Sequence, residues 1–160
     1  MSAPRPLDQP SGVLRAALAP RGWTADGDAW RRDDAVDPDL VAPDDVLDGW
    51  ARRGEPLAVA LSVRLRRGRA AFASALAGRV PVPHLGRAQG LVELFVWPRT
   101  AGPAGRVEVV DGRVVYETDL GPVGDPVAVA AAVGAATAAA APALVRAART
   151  LDFFGIYLRP

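Results

Sequence analysis

Arg106-Val-Glu-Val-Val-Asp-Gly-Arg-Val-Val-Tyr-Glu-Thr-Asp-Leu120 is the stretch that decides the fold, and an alanine-rich segment reaching Thr150 follows it almost at once. Its centre is Asp111-Gly112. A type I′ turn matches the twist of paired strands and needs positive φ at both central residues, which Asp-Gly tolerates well. On either side the residues alternate: Val115, Glu117 and Asp119 against Val114, Tyr116 and Leu120. That alternation predicts an antiparallel ribbon with one wet face.

Working outward, the C-terminal third reads as helical. Asp125-Pro126 is an N-cap followed by proline at the first helical position, and Val129, Val133, Ala136, Ala140, Leu144, Ala148 and Leu151 recur at spacings of three and four. Pro142 should break this run, giving one helix to about Ala140 and another from Ala143 to Thr150. So much alanine permits close helix–sheet approach but contributes little apolar area per residue, and association is one way to bury more.

Toward the N-terminus, residues 1–10 are proline-rich and read as a disordered tail, with a single domain over 11–160. Ser11 is a candidate N-cap for a short helix carrying Val13, Leu14, Ala17 and Leu18, stopped by Pro20 and Gly22. Trp23 to Trp30 reads as a small hairpin whose tryptophans close a core edge. Residues 33–41 are an acidic linker, and Pro43-Asp44-Asp45 opens a helix to about Arg53 with Val46, Leu47 and Trp50 as its stripe.

From Leu57 to Arg66, large apolar residues alternate with alanine, serine and arginine, and Arg67-Gly68 turns this strand into a second through Phe72. Residues 70–77 could instead form a helical turn, since alanine is a good helix former; the hairpin is the favoured reading. Gly78 to Gly90 is a loop, Leu91 to Trp97 a further strand ended by Pro98, and Thr100 to Gly105 a connection. The expected class is α+β: an antiparallel sheet of about five strands, flanked by an N-terminal helix and a C-terminal alanine-rich helical layer.

Composition narrows the chemistry. The 160 residues include no cysteine, which excludes disulfides, thiolate metal sites and cysteine nucleophiles. There is no lysine, hence no Walker A lysine, and the single His84 sits in a proline-flanked loop with no Gly-x-Ser-x-Gly motif anywhere. The acidic stretches lack the ligand spacing and central glycine of a calcium loop. Glu117 and Asp119 read as the wet side of a strand. No catalytic, cofactor or metal site is expected. The interrupted alanine tract reads as a packed helix and not a membrane span, which points to the cytoplasm.

Net charge is +1 but unevenly spread: five Arg against ten Asp give −5 over residues 1–50, and eight Arg against Glu55 give +7 over 51–87. Arg64 and Arg66 should project from one strand face, with Arg67, Arg69, Arg79 and Arg87 nearby in sequence, an Arg64–Arg87 basic patch of candidate phosphate contacts for a nucleic-acid-binding accessory protein. Aromatic residues around them are few, so base stacking has little support. After the helix, Phe153, Phe154, Ile156, Tyr157 and Leu158 form an apolar tail that either covers the core or docks on a partner protein.

The order of short helix, Gly22-Trp23 ribbon, strand meander ending in Arg106–Leu120 and closing helix over Pro126–Thr150 resembles the YbjN-like family, which is similar in fold to type III secretion chaperones. The resemblance covers residues 12–150; the family's Asn-rich segment is missing from Leu91–Trp97. It implies a small bacterial α+β protein, a homodimer that binds a client protein and carries no catalytic site.

Overall fold

In the computed structural model, which describes residues 9–40, 55–99 and 105–160, Asp111 and Gly112 take φ of +50° and +77°. The type I′ turn therefore joins β5 (Gly105–Val110) to β6 (Arg113–Pro122) as the sequence predicts. Arg67 and Gly68 repeat the device at +52° and +74°, joining β3 (Leu57–Arg66) to β4 (Arg69–Leu76). β1 (Thr24–Asp26) and β2 (Ala29–Val36) turn through Gly27. The result is α+β, with one antiparallel sheet of six strands, one more than about five, in the order β1-β2-β3-β4-β6-β5.

Residues 70–77 resolve as strand. In β4, Ala70, Phe72, Ser74 and Leu76 are buried and Ala71, Ala73 and Ala75 face away, and pairing on both edges overrides alanine's helical preference. The helices lie on the first face. α1 (Pro10–Leu18) buries Val13, Leu14, Ala17 and Leu18, but Pro10 opens it with Gln9 as N-cap, in place of Ser11. Trp23 is 4% exposed beneath the Arg32 guanidinium, 5.2 Å from the ring centroid, and Arg15 lies 5.5 Å over the half-buried Trp30.

Three readings need correction. The acidic linker begins later than expected: Asp33 to Val36 belong to β2, paired with Leu57–Ala60, because ladder bonds to β3 outweigh the poor strand propensity of aspartate. Leu91 to Trp97 is not a strand. α2 (Leu85–Leu91) runs into a π-helical turn over Val92–Val96 and a 3₁₀ turn over Trp97–Arg99. Ala88, Val92 and Val96 are each 0% exposed, four residues apart, and that helical stripe outweighs the β-branched and aromatic composition. The same helix claims part of the expected loop over Gly78–Gly90.

Third, α3 (Pro126–Phe153) is one unbroken helix with Pro142 inside it. The residue four before, Ala138, is exposed, so its unbonded carbonyl faces water and not the core. Asp125 caps the start, accepting from the Val127 and Ala128 amides at 3.3 and 3.2 Å. By length and composition α3 could cross a membrane, with mean hydropathy 1.9 over an 18-residue window; here Val133, Ala140, Leu144 and Leu151 of α3 join the buried core. The expected tail over 1–10 gives up Pro10 to α1, and its residues 1–8, the helix over 43–53 and the connection over 100–104 lie outside the described residues.

Candidate functional site

The helices cover one face of the sheet, and no described element covers the other. Strand alternation sorts side chains by size between the two: Val59, Leu61 and Val63 of β3 go to the core, leaving Ala58, Ala60, Ser62 and Arg64 on the open side. β4 does the same with Ala71, Ala73 and Ala75. On β6, a bulge opposite Ala70 and Ala71, with Gly121 at φ +85°, shifts the register by one. Asp119 thereby pairs with Ala71, and Asp119, Glu117 and Val115 face outward while Thr118, Tyr116 and Val114 face the core.

Two rows cross the middle of this face. Arg31, Ser62, Ala73, Glu117 and Arg106 stand side by side from β2 to β5, and next to them Asp33, Ala60, Ala75, Val115 and Glu108. Toward the β3–β4 turn lies Ala29, Arg64, Ala71 and Asp119; at the other end Ala58 and Arg113. The surface is a trough of about 790 Å³ with a floor of small residues on β3 and β4, lined by Arg31 of β2, by Arg113, Glu117 and Asp119 of β6, and by Val110 of β5.

Arg69 Nη2 contacts Asp119 Oδ2 at 2.7 Å, and the Gly121 amide donates to Asp119 Oδ1 at 2.8 Å. The Arg69 hydrogen bond, then that amide, hold the Asp119 carboxyl below its ordinary range. Arg31 Nε lies 2.6 Å from Asp26. Arg64, Arg66 and Arg113 have no side-chain partner among the described residues. Opposite, on the core side, burial pushes the Tyr116 phenol up; its ring meets Phe72 edge-on with centroids 6.5 Å apart.

Of the arginines read from the sequence, Arg64, Arg66 and Arg69 share the open face at one end, with Arg69 held by Asp119, and Arg67 sits exposed at the turn tip. The C-terminal tail is elsewhere. Ile156 is 1% exposed within the core, which removes it from any partner surface: its amide bonds to the Leu151 carbonyl at 2.8 Å and folds the chain back on α3. Phe153 and Phe154 are half-buried against each other, with Phe95 5.3 Å from Phe154, and Leu158 packs on the core. Arg159 and Arg79 exchange two backbone bonds. Of the five, only Tyr157 is well exposed, at 55%.

The alanine floor was missed as a site, although its signal was present: period-two alternation put every large apolar residue of 57–66 on one face and Ala58, Ala60 and Ser62, with Arg64 and Arg66, on the other. Among the described residues no group of three or more His, Cys, Asp or Glu converges as a metal site. Comparison with protein-family models, curated proteins and solved structures finds no match to this chain.

Proposed function

We propose that the protein is a non-enzymatic protein-binding module, chaperone-like or adaptor-like, that works as a homodimer on a client protein in the cytoplasm. The observation that carries the self-association in this reading is the open face. A small-residue floor lets another backbone approach closely, and interspersed charges of both signs give register and specificity more than raw affinity. The order of α1, the Gly22-Trp23 ribbon, the Asp111-Gly112 hairpin and the closing α3 supports the resemblance to the YbjN-like family, while the helical Leu91–Trp97 departs from the strand expected before the long ribbon. The test is affinity capture from native lysate: a stoichiometric partner recovered repeatedly supports it, and repeated capture of none counts against it.

One observation favours a second reading, a nucleic-acid accessory protein. Arg64, Arg66 and Arg69 gather at one end of the face, as phosphate contacts would. Against it, Arg69 is already paired, and Phe72 and Tyr116 point into the core, leaving the strands' open face without a stacking platform. Titration of a labelled oligonucleotide at low and moderate salt decides it: micromolar binding that weakens with salt supports the arginine patch, and no binding removes it.

A further inference from the structure

We propose that the open face is where a second copy of this chain docks, sheet on sheet, about a two-fold axis that lies between the two middle rows and runs perpendicular to the strands. This rests on the homodimer reading above and says which surface and which register the dimer uses.

On β2 and β5 and at the outer positions of β6 the face is antisymmetric in charge about that line, the exception being Glu117, which this axis lays over the partner's Val115. On β2, Arg31 stands on one side of it and Asp33 on the other; on β5, Arg106 and Glu108; on β6, Asp119 and Arg113, equally far from it. A two-fold rotation about the line lays each row on the partner's other row. Arg31 then meets the partner's Asp33, Arg113 the partner's Asp119, and Arg106 the partner's Glu108, each pair occurring twice, as an isologous contact requires. Arg106 also rests on Trp97, 4.2 Å from the ring centroid, so its pair sits at the rim.

Size follows the same rule. Ser62 and Ala73 lie over the partner's Ala60 and Ala75, small on small, while the long Arg64 lies over the partner's Ala58 and fills the end of the trough that alanine leaves empty. An axis parallel to the strands, between β3 and β4, would instead pair Arg31 with the partner's Glu117 but set Arg66 against the partner's Arg69, like charge on like. Existing pairs do not compete. Arg31–Asp26 and Arg69–Asp119 are exposed, and each gains a third member of opposite sign to its centre.

Edge-to-edge pairing through β5 is a poor alternative. Gln89 Oε1 already accepts the Val109 amide at 2.8 Å, and Trp97 Nε1 donates to the Val107 carbonyl at 2.7 Å, so side chains occupy the outward backbone groups of that edge. The face is also large enough. Strand spacing of about 4.8 Å and a rise of about 3.4 Å per residue make four rows by five columns about 24 by 27 Å, on the order of 600 Å² per copy. Doubled, that is roughly 1,200 Å², the lower end of specific interfaces.

The test is sedimentation of the full chain across low- to high-micromolar concentrations, with circular dichroism confirming that each variant is folded. Asp33→Arg puts like charges opposite each other on both sides of the axis and should raise the dissociation constant about tenfold or more. Arg31→Asp combined with Asp33→Arg restores complementarity only for this axis and should return it to within about threefold of wild type. Ala75→Arg, on the floor, should weaken association by bulk alone. If Asp33→Arg and Ala75→Arg both associate as wild type does, the face is not the interface while the dimer stands. If the double reversal stays as weak as Asp33→Arg, the axis is wrong. A wild type that is monomeric throughout overturns this proposal and the homodimer reading together.

Discussion

Replacing Pro142 with alanine should stabilise the fold by about 2 kcal/mol. Inside a helix, proline is about 3 kcal/mol less favourable than alanine, because it lacks the amide that would bond four residues back and its ring crowds that carbonyl, here Ala138. Proline also restricts the unfolded chain, which offsets about 0.4–1 kcal/mol of that cost. For a chain of this size, each kcal/mol moves Tm by about 2–4 °C, so the expected rise is about 4–8 °C. In urea, with an m value of about 2 kcal/mol per M, the midpoint should rise by about 1 M with m unchanged. Far-UV circular dichroism reads both. An unchanged or lowered Tm would refute the reasoning, since it would mean that two helices meet at Pro142, where proline would occupy a favoured first turn.

Asp125→Ala removes the cap that holds the Val127 and Ala128 amides and should cost about 1 kcal/mol, read as a fall of about 2–4 °C in Tm. Gly105→Ala should cost about 1–3 kcal/mol in denaturant unfolding, because a Cβ there would overlap the Tyr116 hydroxyl and ring; shrinking Tyr116 to Val in the same chain should make the added methyl nearly neutral. Because the Asp119 carboxyl is held low in the fold by Arg69 and the Gly121 amide, its stabilisation is present above the ordinary carboxylate range and is lost as pH falls through the folded value. Asp119→Asn should therefore flatten the acid limb of the stability–pH curve, and a limb as steep as that of wild type would show that the pair contributes nothing.

Local chemistry was legible in the sequence, and competing periodicities were not. Asp111-Gly112 takes the positive φ values that its residue types tolerate, Gly68 does the same while Arg67 is carried to φ +52° by the turn, and Asp125-Pro126 opens α3. Leu91 to Trp97 misled because valine, phenylalanine and tryptophan favour strands, while the deciding stripe of Ala88, Val92 and Val96 begins upstream, in a segment whose prolines and glycines read as loop. Pro142 misled in the opposite sense: its penalty is real, but the flanking contacts of Ala140, Ala143 and Leu144 with the core hold the helix through it.

The open face shows why a site can be half visible. Columns follow from a strand's own alternation, so Arg64 and Arg66 could be placed together from the sequence, and so could Glu117 and Asp119. Rows need the strand order and the register. Arg31, Ser62, Ala73, Glu117 and Arg106 become neighbours only once β6 inserts between β4 and β5, and the bulge near Gly121 decides that Asp119 stands beside Arg69, 50 residues away in the chain. β2 carries Arg31, Arg32, Asp33 and Asp34, two charges of each sign, beside basic β3, and it is this mixture, reversed in sign across the midline on β2 and β5, that makes the face complementary to a copy of itself and ill-matched to a uniformly anionic strand.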